Sequence, residues 1–203
     1  MPTRHSPRQI AREPRWRPAR QFSTTELSAA RRSWLLDDGS LTVRLTDLGM
    51  GEFRVQRLYQ GWQLPLLSES RLLQVSPRQQ ALVREVCLML ADQAVVFARS
   101  VFPAASLTGD LAHLRHLQNK SLGSFLFGHP GMRRSPFELA LMAGDSDYLP
   151  PRLRQAEPAW GRRSRFVIGG RSLMVSEVFL QGFTPWTSVL AVHRARRGSV
   201  LPR

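Results

Sequence analysis

Residues 81–102 have the sequence ALVREVCLMLADQAVVFARSVF, and this stretch decides the fold. Two apolar runs, 81–90 and 94–102, are rich in residues typical of β-strands and are separated by Ala-Asp-Gln, which suits a tight turn. Further along the chain, residues 162–168 and 172–180 form a similar pair around two glycines, a favourable two-residue hairpin turn. The sequence therefore predicts two antiparallel hairpins.

The remaining segments add helices and two more strands. Apolar residues recur at helical spacing in four of these segments and at a spacing of two in residues 52–62. The predicted elements are a helix that begins after Thr24 or Thr25 and ends before residue 37, a helix over 41–48, a strand over 52–62, helical segments over 107–117 and 121–127, and a strand over 137–142. This order predicts an α+β fold with an antiparallel sheet of about six strands.

The composition fits a single domain. The 203 residues are 42% hydrophobic, enough to bury a core without covalent cross-links. A single cysteine, Cys87, excludes an intrachain disulfide and a zinc site with several thiolates. The chain lacks both the roughly 18 apolar residues of a membrane span and the apolar stretch of a secretory signal. We therefore expect a cytoplasmic protein without stable membrane insertion.

The net charge of +14 is concentrated at the two ends of the chain. Residues 1–20 contain six arginines and one acid, and the last eleven residues contain four arginines and no acid. We expect a disordered Arg- and Pro-rich tail over 1–22, one domain over 23–192 and a basic tail over 193–203. The basic run WGRRSR at 160–165 opens a strand and has no array of exposed aromatic residues, so we expect no nucleic-acid binding.

Three charged residues interrupt apolar strand faces. Arg84, Arg99 and Glu177 each lie in an otherwise apolar row when alternate residues are assigned to one side of their strand. A buried charge is costly unless it is paired or bound to a charged ligand. One interpretation is a structural salt bridge between Glu177 and one arginine, or a strand edge where the charge reaches water. The other is a closed cavity whose two guanidiniums suit a ligand with two carboxylates. The pattern of faces does not choose between them.

Motifs for other chemistries are missing from the sequence. It has no glycine-rich phosphate loop and no Gly-x-Ser-x-Gly turn that would present a nucleophilic serine. Its five histidines do not converge with acids in a metal-binding pattern. We therefore expect neither a metal nor an organic cofactor.

Several motifs resemble those of the bacterial chorismate pyruvate-lyase family. They are WGRRSR at 160–165, SEVFL at 176–180 after the Gly-Gly turn, ARSVFP at 98–103 and SLGSFLF at 121–127. The resemblance extends over about residues 24–181, in the same order and spacing. WGRRSR is its most specific part.

This resemblance implies a fold and an activity. The family has a six-stranded antiparallel sheet with helical flaps over an internal ligand cavity. Its members convert chorismate to 4-hydroxybenzoate and pyruvate without a cofactor, the first committed step of bacterial ubiquinone synthesis. We therefore expect a monomer that binds the small molecule chorismate and retains 4-hydroxybenzoate tightly.

The resemblance also implies roles for individual residues. Arg84 would hold the ring carboxylate, assisted by backbone groups of Leu41 and Leu122 in the flaps. Glu177 would take the ring hydroxyl, and Arg99 would fit the carboxylate of the enolpyruvyl arm. Arg99 and Glu177 are thus the expected catalytic residues.

A non-catalytic module is the alternative interpretation. Effector domains of some transcription regulators share this fold and bind small ligands, so the chain could bind an aromatic acid without converting it. Such a regulator should carry a helix-turn-helix domain, and residues 1–23 are too short and too rich in proline to form one.

Overall fold

The two predicted hairpins form the centre of one antiparallel sheet in the computed structural model, which describes residues 13–187. The strands are β1 (Arg17–Pro18), β2 (Phe53–Gln63), β3 (Ala81–Leu90), β4 (Gln93–Pro103), β5 (Arg133–Arg134), β6 (Glu138–Met142), β7 (Ala159–Ile168) and β8 (Arg171–Phe179). Their order across the sheet is β1-β6-β7-β8-β4-β3-β2, and β5 pairs with β7 beside this path. The predicted α+β class is confirmed.

The sheet has eight strands rather than the expected six. All six predicted strands are present, as β2, β3, β4, β6, β7 and β8. The additional strands, β1 and β5, contain two residues each. So short a segment has no alternation that a sequence pattern can reveal.

Short helices connect and cover the strands. The α-helices are α1 (Ala29–Leu35), α2 (Leu41–Asp47), α3 (Leu67–Leu73) and α4 (Leu122–Gly128). Gly109–His116, predicted as part of a helix, forms a 3-10 segment. Helix α3 was not predicted; the carboxylate of Glu69 accepts a hydrogen bond of 2.9 Å from the backbone N–H of Leu66 and so satisfies its first turn. Within residues 13–187, no helix is long and apolar enough to span a membrane.

Part of the expected N-terminal tail is ordered against the domain. Arg17 and Pro18 pair with β6, and the ring of Trp16 contacts that of Tyr148 edge-on at 5.8 Å between centroids. Phe22 is buried in the core. The prediction of disorder up to residue 22 is therefore wrong for 13–22, because these aromatic residues bury apolar surface that the arginine and proline content obscured. Residues 1–12 and the predicted tail over 193–203 lie outside the described residues.

The pairing register divides the sheet into two faces, because directly opposite residues of antiparallel strands lie on the same side. One side, which we call the cavity face, carries two neighbouring rows: Arg84, Ser100, Val175 and Ser164, then Val86, Ala98, Glu177 and Arg162. The other side, which we call the closed face, carries the row between them: Glu85, Arg99, Ser176 and Arg163.

Helices cover both faces. On the cavity face, α1 and α2 contribute Trp34 and Leu41 to a core cluster with Val86. On the closed face, Leu73 of α3 packs with Val83. All ten residues of β3 are consequently buried, so a charge on either face of this strand lies in the interior.

Candidate active site

A cavity lies between the cavity face of the sheet and the first turns of α2 and α4. Its apolar wall includes Val55, Val86, Leu88, Leu126, Phe127 and Phe166. Its charged side chains are Arg84, Arg134, Arg162 and Glu177. Three cations facing one anion leave an excess of positive charge that the apolar wall screens poorly, and this favours an anionic ligand.

The two helices that cover the cavity contact each other directly. The hydroxyls of Thr42 and Ser121 are hydrogen-bonded at 2.9 Å, and both residues line the cavity. A Cβ atom at Gly123 would lie 3.2 Å from Oγ of Ser40, so glycine permits this close approach. Leu41 and Leu122 are the first residues of α2 and α4, and the backbone N–H of a first helical residue has no partner within its helix. The structure thus brings both predicted flap residues to the cavity.

Arg84 is buried at one side of the cavity with incomplete hydrogen bonding. It is 2% exposed, and its Nη2 donates to the backbone oxygens of Gln118 at 2.9 Å and Lys120 at 2.8 Å. Its Nε has no hydrogen-bond partner, and no carboxylate pairs with the guanidinium among residues 13–187. Burial, with a smaller contribution from Arg57, lowers its pKa to about 10. Arg84 is therefore a cation without a counter-charge at neutral pH.

Glu177 lies in the cavity and is held by Arg162, which is directly opposite on β7. Nε of Arg162 donates to Oε2 of Glu177 at 2.6 Å. Nη1 of Arg162 donates to the backbone oxygens of Trp34 and Asp37, both at 2.8 Å. These three bonds fix Arg162, and through it one oxygen of Glu177, while the other carboxylate oxygen of Glu177 makes no hydrogen bond within the described part of the chain.

Arg134, on β5, is the third cation of the cavity. Its Nε donates to Oγ of Ser164 at 3.1 Å and its Nη1 to the backbone oxygen of Asp38 at 3.3 Å. The guanidinium lies 4.0 Å from the ring centroid of Phe137 and 4.9 Å from that of Phe166. Burial, and then repulsion from Arg162, lower its pKa to about 9.

Arg99 does not reach the cavity, so the expectation that it binds substrate there is wrong. It lies on the closed face, 2% exposed, where Nε and Nη2 donate to the two carboxylate oxygens of Glu69 at 2.7 and 3.1 Å. Its Nη1 donates to Oε1 of Glu85 at 2.7 Å. The guanidinium is therefore occupied by two carboxylates, and the sheet itself separates it from the cavity.

Each sequence-based interpretation of the buried charges holds in part. A cavity beside the sheet is present and contains Arg84 and Glu177. Glu177 does form an ion pair, but with Arg162 rather than with Arg84 or Arg99. Arg99 is structural, with Glu69 and Glu85 as its partners.

Sequence reasoning missed Arg134 and Arg162. A signal for Arg162 existed, because counting outward from the Gly169–Gly170 turn places it directly opposite Glu177. No such signal existed for Arg134, since its strand has two residues and lies in a segment of irregular pattern. Within residues 13–187, no group of three or more His, Cys, Asp or Glu side chains is placed to hold a metal ion.

Comparison with known proteins identifies the family of this chain. The family model described as chorismate lyase matches residues 10–189. The chain belongs to the chorismate lyase family. The resemblance noted in the sequence motifs is therefore confirmed.

Two relatives illustrate the similarity within the chorismate lyase family. A probable chorismate pyruvate-lyase of Pseudomonas aeruginosa (strain UCBPP-PA14) is 42% identical over 165 residues, which cover 81% of this chain and 90% of the relative. A probable chorismate pyruvate-lyase of Methylococcus capsulatus is 41% identical over 152 residues, covering 73% of this chain and 93% of the relative.

Solved structures share the fold at low sequence identity. The effector domain of PhnF from Mycobacterium smegmatis matches with a TM-score of 0.51 and 14% identity, covering 70% of this chain and 89% of that domain. A PhnF C-terminal domain matches with a TM-score of 0.50 and 12% identity, covering 66% of this chain and 86% of that domain. At this identity, the likeness concerns the fold alone.

Proposed function

We propose that this protein converts chorismate to 4-hydroxybenzoate and pyruvate. Membership in the chorismate lyase family supports this reaction. The main structural observation that supports it in this protein is the net positive charge of the cavity. Chorismate is a dianion with one carboxylate on its ring and one on its enolpyruvyl ether. Three arginines facing a single glutamate leave an excess of two positive charges, which matches that dianion.

Arg84 and Glu177 would orient the ring between them. They lie on the same face in neighbouring rows, with β4 between their strands. Two interstrand spacings, about 10 Å, thus separate their backbones across the sheet, and the side chains reach inward from each side. In this arrangement Arg84 holds the ring carboxylate through its unpartnered Nε edge, with the N–H groups of Leu41 and Leu122 in reach of the same cavity. Glu177 holds the hydroxyl on the opposite side of the ring.

The proposed reaction is an elimination that makes the ring aromatic. The C–O bond between the ring and the enolpyruvyl ether breaks, and the adjacent ring carbon that carries the hydroxyl loses its hydrogen as a proton. The electrons of that C–H bond complete the aromatic ring, and those of the C–O bond leave with the enolpyruvyl oxygen. Protonation of the departing enolpyruvate at its methylene carbon then gives pyruvate. The two products together contain all the atoms and electrons of chorismate, so the reaction requires no oxidant or reductant.

The residues contribute orientation and electrostatic stabilisation. Arginines held on a sheet need little reorganisation as negative charge develops on the leaving group. The free oxygen of Glu177 is placed to bind the hydroxyl or to accept the proton lost from the ring. Direct transfer of that hydrogen to the enolpyruvyl group would need no base, and the Glu177→Gln variant considered in the Discussion separates the two routes.

The same geometry supports tight retention of 4-hydroxybenzoate. The contacts that orient the substrate ring at Arg84 and Glu177 are equally available to the product. The linked hydroxyls of Thr42 and Ser121 also hold the two covering helices together above it. We therefore expect added 4-hydroxybenzoate to inhibit turnover competitively.

The decisive experiment is to incubate purified protein with chorismate, without metal or nucleotide, and to quantify both products. Equimolar 4-hydroxybenzoate and pyruvate, lost in Arg84→Ala, are expected. Saturable binding of chorismate or 4-hydroxybenzoate without turnover would instead support the aromatic-acid-binding module. Absence of both turnover and binding would contradict the proposed function altogether.

A further inference from the structure

Chorismate presents two carboxylates, and the roles proposed above occupy only the one on the ring. The ether that carries the second carboxylate is attached next to the ring carbon that bears the hydroxyl. A ring held with its carboxylate at Arg84 and its hydroxyl at Glu177 therefore projects the enolpyruvyl arm near the Glu177 side of the cavity. A cation on that side is needed to receive it, and Arg99 is excluded by its position on the closed face.

Arg134 and Arg162 are the two cations on that side of the cavity. They are not equivalent. Arg162 already has Glu177 as a counter-charge and three hydrogen bonds that consume its Nε and Nη1. Arg134 has only neutral acceptors, Ser164 and the backbone oxygen of Asp38, and its Nη2 makes no hydrogen bond within residues 13–187.

The surroundings of Arg134 fix its orientation without neutralising it. Phe137 and Phe166 flank the guanidinium, and the bond to Ser164 anchors its inner edge. Ser164 is fully buried on the cavity face. Burial raises the energy of the charged form, and the proximity of Arg162 adds to this; nearby Glu177 offsets it only in part, so the pKa of Arg134 is lowered. An anion placed against both guanidiniums would remove this penalty.

We infer that Arg134 binds the carboxylate of the enolpyruvyl arm, and that Arg162 serves as a positioning residue that holds Glu177. This inference rests on the proposed function. As the ether C–O bond breaks, the departing enolpyruvate gains negative charge on its oxygen, and the Arg134 guanidinium lies beside it. Arg134 thereby distinguishes the two-carboxylate substrate from the one-carboxylate product, which needs only Arg84 and Glu177.

The test compares ligands with two carboxylates and with one. In Arg134→Gln, we expect kcat/KM for chorismate to fall roughly 10- to 100-fold, the usual effect of losing a charge-assisted hydrogen bond. The Kd for 4-hydroxybenzoate, measured by calorimetry, should change less than about threefold, since the product has no second carboxylate. In the matched control Arg84→Gln, both quantities should worsen together.

A conservative variant separates recognition from folding. Arg134→Lys keeps the charge but loses the planar fork and the bond to Ser164, so its kcat/KM should lie between those of the wild type and Arg134→Gln. Unchanged binding of 4-hydroxybenzoate also shows that the cavity of each variant is folded. Equal losses for chorismate and 4-hydroxybenzoate in Arg134→Gln, or no loss for either, would overturn the inference.

The same variants remain informative if the wild type releases no pyruvate. That result would refute the proposed function, and the comparison then uses the calorimetric Kd for chorismate itself. A selective loss of chorismate affinity in Arg134→Gln still supports the second carboxylate site. Equal chorismate affinity in the wild type and Arg134→Gln refutes it.

Discussion

Arg99 on the closed face of the sheet and Arg84 on the cavity face are both buried, but within residues 13–187 only Arg99 of these two is paired with carboxylates. On the closed face, Arg99 is bonded to both Glu69 and Glu85. On the cavity face, Arg84 is as deeply buried, yet it donates only to backbone oxygens and leaves Nε without a partner. A buried arginine that the protein neutralises is part of the architecture, whereas one that it leaves unpaired is available to a ligand.

The pKa shifts of the two arginines express the same difference. Burial alone would lower the pKa of Arg99, but Glu69 beside it raises the pKa above its usual value. Burial and, to a smaller extent, the charge of Arg57 together lower the pKa of Arg84 to about 10, and no carboxylate of the described residues compensates. The charged form is thus stabilised on the closed face and destabilised on the cavity face until an anion binds.

The largest effect is expected from removing the cation of the closed face. Arg99→Met leaves Glu69 buried without the guanidinium that binds both of its carboxylate oxygens and removes one partner of Glu85, so the free energy of unfolding should fall by about 3–5 kcal/mol. Urea unfolding measures this loss. Adding Glu69→Gln to Arg99→Met should restore part of the stability, because the uncompensated carboxylate of Glu69 is then absent. Folded Arg99→Met should retain kcat within a few-fold, and loss of turnover in a folded Arg99→Met protein would restore Arg99 as a catalytic candidate.

The corresponding change on the cavity face should affect activity instead. Arg84→Gln is expected to lower kcat/KM for chorismate roughly 100- to 1000-fold, because the ring carboxylate loses a buried charged donor. Its unfolding free energy should fall by less than that of Arg99→Met, because the amide of Gln can still donate to a backbone oxygen and the substitution removes a buried charge without a counter-charge. Steady-state kinetics beside urea unfolding gives both values. A large loss of stability with little loss of activity in Arg84→Gln would contradict this comparison, because it would make Arg84 a structural residue.

A smaller effect is expected from neutralising the one carboxylate of the cavity. Glu177→Gln keeps the shape of the side chain but removes its ability to accept a proton, so kcat should fall roughly 10- to 100-fold. KM should change little or decrease, because the cavity gains net positive charge toward a dianion. Retention of the full kcat would exclude Glu177 as an obligatory base and leave it as an orienting group.

The smallest effect concerns Cys87, a neutral buried residue on the same strand as Arg84. Burial raises the pKa of its thiol to about 11, against 9.0 for an ordinary cysteine. The contribution of this thiol to the free energy of unfolding is therefore fully present below pH 9. It is lost as the pH rises from about 9 to 11, because the thiol of the unfolded chain releases its proton at a lower pH than that of the folded chain. Unfolding curves across this range should show a decline that is absent in Cys87→Ala.

The same thiol reports on the closed face without disturbing the cavity. Its reaction with a thiol reagent at pH 8 should be negligible in the native protein and complete after unfolding. Cys87→Ala should leave kcat/KM unchanged. Rapid labelling of the native protein would show that this side of the sheet opens more readily than its packing indicates.

The hairpins show how far local pattern specifies this fold. Alternation and turn residues place β3, β4, β7 and β8 correctly, because each hairpin is a local structure whose turn fixes the neighbouring strand. Counting from Gly169–Gly170 even pairs Arg162 with Glu177. The two-residue strands, the ordered segment 13–22 and Arg134 carry no such local signal, since they are held by contacts with distant parts of the chain.

The bulge in the first hairpin decides on which face Arg99 lies. Leu90 pairs with Gln93 across the turn of the first hairpin, and this register, if continued, would place Arg84 directly opposite Arg99 on the same face. The register instead shifts by one residue between Leu88 and Met89, so Arg84 opposes Ser100 and Arg99 opposes Glu85. A one-residue shift moves every later side chain to the other side of the sheet.

By itself, the sequence determined the fold class, the six long strands and the family, and it singled out Arg84 and Glu177, which line one cavity. These follow from periodicity, turn chemistry and motifs, which act over a few residues. Only the tertiary structure decided which buried arginines face the cavity. The reason is physical, because a strand pattern gives only the spacing of side chains along one strand. The bulge and the pairing of distant strands decide which face each charge occupies. The carboxylates on α3 and β3 decide whether that charge is neutralised there.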